Sequence, residues 1–281
     1  MWTTDGISVG STFGNFITET MEGLVPEFLI GCSNNSTQLP LGHAAFGDGK
    51  PSLPSQLGLK KFSFCLLSHY YDDSSTHSDV VFDDETSYDD LNYTSLIKNL
   101  SEGPEVRHFS GYHYLNLQGI VVGDTRIEVP EGSQLPGRDG NGGTIIDTGT
   151  PFTFLERSIF EAVRQEFETQ MGNYTRAPDQ GVLGPCFSTV DQDITNLPLL
   201  TFIFEGGVKM EFPTQNYFLL DDKFGVVCLS LTTDVISGVG PSVGLSGGPV
   251  VIMGNYLLMD FFLEFDSLKS RLGFKREHCD S

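Results

Sequence analysis

One short run, Gly142-Gly143-Thr144-Ile145-Ile146-Asp147-Thr148-Gly149-Thr150, constrains the fold of this chain more than any other part of its sequence. Its apolar residues predict a buried strand, and Asp147 follows that strand directly on a tight glycine turn. Gly149 permits the turn, while Thr148 and Thr150 offer hydroxyls that can orient the carboxylate. On spacing alone, an Asp-Thr-Gly tripeptide is most often an ordinary β-turn. The run therefore predicts a strand and turn that carry one candidate catalytic carboxylate.

The composition favours a turn-rich β architecture. The 281 residues include 32 Gly and 14 Pro, with 22 Phe and 9 Tyr placed among short apolar runs. This length allows one large domain or two smaller ones. A β-hairpin is predicted within residues 5–20 and a long polar excursion within residues 72–103. The clearest helix runs from Ser158 to Asn173, where Ser158 and Glu161 form a capping box.

The charge of the chain argues against nucleic-acid partners. Sixteen basic and 37 acidic residues give a formal net charge of −21, whereas binding to phosphates requires Lys and Arg. Residues 72–90 contain eight carboxylates and no Lys or Arg, which predicts a solvated loop. No apolar run approaches the ~18 residues that a membrane span needs, so we expect no membrane association.

The cysteines and histidines predict disulfides and no metal site. The five cysteines are widely spaced without a Cys-x-x-Cys pair, which argues against a zinc ribbon and favours structural disulfides. His108 and His113 lack further residues at metal-ligand spacing. We expect neither a metal ion nor another cofactor.

Five Asn-x-Ser/Thr acceptors fit a secreted glycoprotein; they are Asn34, Asn35, Asn92, Asn99 and Asn173. The first residues, Met1-Trp2-Thr3-Thr4-Asp5-Gly6, have neither the basic nor the apolar region of a signal peptide. Together these two observations predict that an N-terminal segment is missing from the chain.

Several further segments, taken together and in their order along the chain, are informative about its fold family. The early ones are Asp5-Gly6, Phe16 to Thr20, Gly31-Cys32, Pro51 to Gly58 and Lys61 to Leu66. The later ones are Asn141 to Leu155, the helix from Ser158, Val251 to Asn255, Phe262 to Asp266 and Leu272 to Phe274. With these motifs the chain resembles the pepsin-like aspartic proteases, specifically the plant nepenthesin-type group that also contains xylanase-inhibitor-like proteins. The resemblance implies a mainly β, bilobal pepsin-like fold, with a partial N-terminal lobe over 1–108 and a C-terminal lobe over 109–281.

The resemblance also implies roles for individual residues. Asp147 would be the second catalytic aspartate, and its supporting loop would consist of Thr148, Gly149, Thr150 and Gly254. Residues 1–20 would form the flap hairpin that closes over a bound peptide, and Thr3, Asp5 and Gly6 would be its site residues. Thr3 stands where the family usually has Tyr.

The resemblance implies two disulfides, Cys186–Cys228 in the C-terminal lobe and Cys65–Cys279 between the chain end and the first lobe. Cys32 would then be unpaired, with its partner in the missing segment. A Cys32–Cys65 bond that leaves Cys279 free stays open as the alternative.

The family activity is acid endopeptidase action on peptide or protein substrates. Two nearby carboxylates that share one proton activate water for this reaction, and the sequence contains a single Asp-Thr-Gly. We therefore expect the 281-residue chain to be inactive or impaired. The alternative is a catalytically inactive binding or inhibitor protein whose partner is a target enzyme. A site shared between two chains is disfavoured because the chain retains much of its own first lobe. We expect a monomer whose full-length parent is extracellular, in the apoplast or cell wall, or vacuolar.

Overall fold

The computed structural model describes residues 7–8, 24–25, 28–31, 44–68, 78–84, 88, 90–99, 111–190, 196–233 and 248–279. The helices within them are α1 (Leu53–Leu57), α2 (Arg157–Gln170) and α3 (Asn255–Leu258). Strands make up most of the regular structure, which confirms the prediction of a mainly β chain. They are β1 (Ile7–Ser8), β2 (Leu24–Val25), β3 (Lys61–Cys65), β4 (Val80–Phe82), β5 (Asn92–Ile97), β6 (His113–Leu115), β7 (Leu117–Val122), β8 (Thr125–Glu128), β9 (Thr144–Ile146), β10 (Thr153–Leu155), β11 (Arg176–Ala177), β12 (Cys186–Ser188), β13 (Leu200–Phe204), β14 (Val208–Phe212), β15 (Phe218–Asp221), β16 (Val226–Leu229), β17 (Leu231–Thr232), β18 (Val251–Met253), β19 (Phe261–Asp266) and β20 (Arg271–Arg276).

The chain divides into two compact units. Residues 1–92 and 260–281 form the first unit, and residues 93–259 form the second. The predicted lobe boundary after residue 108 stays a prediction. In the first unit, β20, β19, β3 and β4 pair antiparallel in that order. The disulfide Cys65–Cys279 joins the end of β3 to the C-terminal segment, and it is one of the two pairings that the resemblance implies.

The second unit contains the Asp147 run within a layer of strands in the order β17, β10, β18, β9, β6, β5. Within this layer β18 runs parallel to β9 and β17 runs parallel to β10. Two four-stranded antiparallel sheets accompany it, in the orders β14-β13-β7-β8 and β11-β12-β16-β15. The disulfide Cys186–Cys228 links directly opposed residues of β12 and β16.

Helix α2 starts one residue before the predicted position and is capped differently. Glu156 is its N-cap, and the Glu156 carboxylate accepts a hydrogen bond from the Ser158 N–H at 2.9 Å. The predicted capping box of Ser158 and Glu161 is therefore wrong, because the carboxylate that follows β10 directly already satisfies this N–H. The apolar face was predicted correctly: Ile159, Phe160, Val163, Phe167 and Met171 are all buried.

The region predicted as a polar excursion contains two strands, β4 and β5. Strand β4 pairs with β3, and Phe82 stacks on Phe46 with ring centroids 6.3 Å apart. Asp83, one of the eight acidic residues, accepts hydrogen bonds from the backbone N–H groups of Lys60 and Lys61 at 2.7 and 2.9 Å. The predicted loop is therefore wrong at residues 80–82, which form a strand, although Asp83 itself is exposed to solvent as predicted.

The predicted N-terminal hairpin is described only at one point. Strand β1 pairs antiparallel with β2, with Ile7 opposite Val25, so its partner lies beyond the predicted range 5–20. The flap residues Thr3, Asp5 and Gly6 lie outside the described residues, as do Cys32, Asn34 and Asn35. None of the helices in the described ranges is both long and apolar enough to cross a membrane.

Candidate active site

Asp147 lies at the carboxyl end of β9, where the parallel ladder with β18 finishes. Ile146 stands opposite Met253 in this ladder. The Asp147 N–H continues the ladder by one bond, because it donates to the Met253 carbonyl at 3.0 Å. The backbone of Asp147 is thus fixed by a buried strand, while the residue itself is half-buried.

Both oxygens of the Asp147 carboxylate are held by the turn that follows. The Gly149 N–H donates to Oδ1 at 3.0 Å, and the Thr150 hydroxyl donates to Oδ2 at 2.7 Å. The Thr150 N–H closes the turn on the Asp147 carbonyl at 3.1 Å. Hydrogen bonds to both oxygens of a carboxylate fix its direction. Of the three predicted turn residues, Gly149 and Thr150 contact the carboxylate, whereas Thr148 has an exposed side chain.

Gly254 lies where two backbone segments cross at the end of β18. Its N–H donates to the buried Thr153 hydroxyl at 3.1 Å. A Cβ at this position would lie 2.3 Å from the Phe152 carbonyl oxygen and 2.8 Å from that of Pro151. Only glycine permits this approach, because the atoms in the way belong to the backbone and cannot rotate aside.

The substitution Gly254→Ala is therefore expected to destabilise the second unit by about 3 kcal/mol or more, since it overpacks a rigid crossing. Chemical denaturation followed by near-ultraviolet circular dichroism measures this loss. The matched control is Gly132→Ala, because a Cβ at Gly132 meets no atom within 4 Å. We expect the control to change stability by less than about 0.5 kcal/mol. Equal losses of stability from the two substitutions would show that the close backbone contact at Gly254 is not the cause.

A buried apolar cluster of Tyr114, Ile145, Phe154 and Ile252 supports the turn, with Tyr112 and Phe152 packed against it. The close packing of this cluster explains why the second residue of the Gly142–Thr150 run is a glycine. Gly143 has a φ of +78°, and a Cβ there would lie 2.6 Å from the Tyr114 ring.

Two tyrosines near the turn are held in the neutral form. Burial raises the pKa of Tyr112, and the nearby negative charge of Asp147 raises it further. Burial also raises the pKa of Tyr114 to about 12, with a smaller contribution from Tyr112.

Sequence reasoning missed one residue of the site, Asn255. Its side-chain Nδ2 donates to the Thr148 carbonyl at 3.1 Å, and its backbone N–H donates to the Thr150 carbonyl at 2.8 Å. The position after an apolar strand and a glycine was the available signal, but it does not reveal a contact with a turn 107 residues earlier.

The part of the chain that the structure describes contains no group of three or more His, Cys, Asp or Glu side chains arranged to hold a metal ion. Within the turn, the Gly149 amide and the Thr150 hydroxyl orient the Asp147 carboxylate. Such a carboxylate can accept or donate a proton, or hold a water molecule, when a second acid–base group faces it.

Comparison with known proteins gives matches along almost the whole chain. The family model described as "Xylanase inhibitor C-terminal" matches residues 112–276. Aspartic proteinase nepenthesin-1 of Nepenthes gracilis is 30% identical, over 98% of this chain and 60% of that protein. Aspartyl protease family protein 2 of Arabidopsis thaliana is 32% identical, over 95% of this chain and 53% of that protein. The chain thus spans somewhat more than half the length of these curated relatives.

Solved structures show the same fold. The crystal structure of edgp matches with a TM-score of 0.72 and 24% identity, over 91% of this chain and 65% of that one. Basic 7S globulin from soybean matches with a TM-score of 0.71 and 23% identity, over 92% of this chain and 66% of that one. These likenesses confirm the predicted fold class.

Proposed function

The chain belongs to the pepsin-like aspartic protease family, in its plant nepenthesin-type group, and on this premise we propose that it supplies the Asp147 half of an aspartic endopeptidase site. The observation that carries the proposal is the carboxylate held at both oxygens by Gly149 and Thr150. Peptide bonds of peptides or proteins are the proposed substrates.

The proposed reaction needs a second carboxylate facing Asp147. When two carboxylates share one proton, the ionised one takes a proton from water as the water attacks the peptide carbonyl. The protonated one donates its proton to the carbonyl oxygen. The C–N bond of the resulting tetrahedral intermediate then breaks as the leaving amine takes the proton that the first carboxylate accepted from water, and no covalent enzyme intermediate forms. Because the sequence contains one Asp-Thr-Gly, we propose that the 281 residues by themselves are inactive or strongly impaired. Proteolysis at acid pH by a chain that carries this Asp-Thr-Gly and a second one tests the assignment of Asp147 as a catalytic residue.

The second candidate function is a binding or inhibitor protein on the same scaffold. The observation in its favour is the matched family model, whose description refers to a xylanase inhibitor. Sequencing the 5′ end of the transcript separates the two candidates. An upstream reading frame with a signal peptide and a second Asp-Thr-Gly supports the endopeptidase, and a complete frame without that motif overturns it in favour of binding.

We propose that the parent protein is extracellular or vacuolar. The two disulfides among the described residues are typical of an oxidising compartment. The glycosylation acceptors point in the same direction, and three of them are described. Asn92 is exposed on β5, Asn99 is half-buried, and Asn173 is exposed in the turn after α2.

After secretion from a plant or insect cell, we expect an N-glycan on Asn173, because an exposed turn leaves room for a bulky sugar. Peptide-N-glycosidase treatment followed by peptide mass mapping measures it. The variant Asn173→Gln is expected to lose one glycan. Its control is Asn196→Gln, since Asn196 is also exposed but precedes Leu-Pro and is no acceptor. An unmodified Asn173 peptide from the secreted chain would contradict the proposal.

A further inference from the structure

We infer that Asn255 is a positioning residue for Asp147, an inference that rests on the proposed function wherever it concerns the reaction. Asn255 acts through a single peptide group. Its Nδ2 donates to the carbonyl of Thr148 at 3.1 Å, and the N–H of the same peptide group, on Gly149, donates to Asp147 Oδ1 at 3.0 Å. The path therefore runs from the Asn255 amide, across one peptide plane, to the carboxylate.

The rigidity of the peptide plane makes this path effective. The carbonyl and the N–H of one peptide group point in opposite directions and rotate together. Fixing the Thr148 carbonyl therefore aims the Gly149 N–H at Asp147. Hydrogen bonds at both ends of one peptide group also polarise each other, so the bond to the carboxylate is strengthened.

Gly149 makes such a fixation necessary. Glycine accepts a wide range of backbone conformations, so the peptide group before it can turn over at little cost. A reversed peptide group would present the Thr148 carbonyl to the Asp147 carboxylate and would repel it. The Asn255 amide opposes this reversal because it holds the carbonyl on the far side.

Asn255 belongs to a helix, α3, that is itself held in place. It is the first residue of α3, whose other residues, Tyr256, Leu257 and Leu258, are buried. At the other end of α3, the buried Asn216 Nδ2 donates to the carbonyls of Leu257 at 3.0 Å and Met259 at 2.6 Å. The backbone N–H of Asn255 is bound to the turn as well, at the Thr150 carbonyl.

The unpaired oxygen of Asn255 shows that this side chain is not optimised for stability alone. Its Oδ1 is buried and has no hydrogen-bond partner among the described residues. A buried polar atom without a partner is unfavourable, and an apolar side chain of similar size would avoid that cost. The donor on the same amide is the reason to keep asparagine, because only a donor can bind the Thr148 carbonyl.

The test compares Asn255→Ala and Asn255→Asp in the 281-residue chain by amide hydrogen exchange, measured by NMR and expressed relative to the unsubstituted chain at each pH. In Asn255→Ala we expect the Gly149 amide to exchange about 10-fold faster or more, the loss of roughly one hydrogen bond's stabilisation. The Asp147 amide, bound to the Met253 carbonyl, is the internal control and is expected to keep its rate.

The near-isosteric variant Asn255→Asp adds a pH profile that a general loss of packing would not produce. At neutral pH the introduced carboxylate cannot donate and repels the Thr148 carbonyl, so the Gly149 amide is expected to exchange as fast as in Asn255→Ala. Below the ordinary carboxyl pKa of about 3.9, the protonated group can donate again, and protection is expected to return. This variant also decides the question if Asn255→Ala does not fold.

Unchanged Gly149 exchange in both variants, or protection in Asn255→Asp that does not vary with pH, would overturn the inference. A measurement of proteolytic activity in a chain with two Asp-Thr-Gly motifs distinguishes failure of the Asn255 inference from failure of the proposed endopeptidase function. We expect Asn255→Ala to lower kcat about 10-fold with little change in KM. Full activity of Asp147→Asn would overturn the proposed function but leave the exchange result standing.

Discussion

Asparagine in place of Asp147 will lower acid proteolysis by a two-motif chain by about 10³-fold or more in kcat, because the amide cannot take up or release the shared proton. The substitution keeps the shape of the side chain. Its amide oxygen can still accept from the Gly149 N–H, which donates to Oδ1 in the unsubstituted chain. We therefore expect an inactive protein that folds and melts normally.

The measurement joins the 281 residues to an upstream segment of the parent transcript that carries the second Asp-Thr-Gly. Cleavage of a denatured protein at acid pH, with and without pepstatin, gives the rate. The matched control is Asp124→Asn, since Asp124 is exposed in the turn between β7 and β8. It is expected to keep full activity. Proteolysis by the purified 281-residue chain that survives Asp147→Asn would show that the assignment of Asp147 is wrong.

The position of Asp147 was predictable because its signals are local. An apolar run followed by a glycine turn leaves few alternatives to a strand that ends at the carboxylate. The role of Asn255 was not predictable, because its partner Thr148 is 107 residues away and a periodic pattern carries no information about such contacts. The carboxylate was therefore found from sequence, but the group that fixes its turn was not.

Dependence on a distant partner also explains an error in the predicted fold. Strand β4 has three residues inside an acidic run, and its strand character depends on pairing with β3. The pairing of β19 with β3 joins residues about 200 positions apart, and no local pattern reveals such a contact. The cap of α2 was missed because Glu is an uncommon N-cap residue, and the structure uses the long Glu156 side chain in that role.

Removal of the Cys65–Cys279 disulfide, by Cys65→Ser with Cys279→Ser, is expected to destabilise the first unit by about 5 kcal/mol, and the reason is the length of chain that the bond closes. The two cysteines are 214 residues apart, and the first unit is assembled from both ends of the chain. Without the bond, the C-terminal strands gain the full conformational freedom of the unfolded chain, and folding must oppose it.

The other disulfide provides the matched comparison. Cys186 and Cys228 are only 42 residues apart and face each other in the ladder between β12 and β16. Cys186→Ser with Cys228→Ser is therefore expected to cost about 4 kcal/mol, roughly 1 kcal/mol less than the first pair. Guanidinium denaturation of both double variants measures the order of the two losses. A larger loss for the Cys186–Cys228 pair would mean that native packing around the bonds, and not the entropy of the closed chain, decides how much each disulfide stabilises this fold.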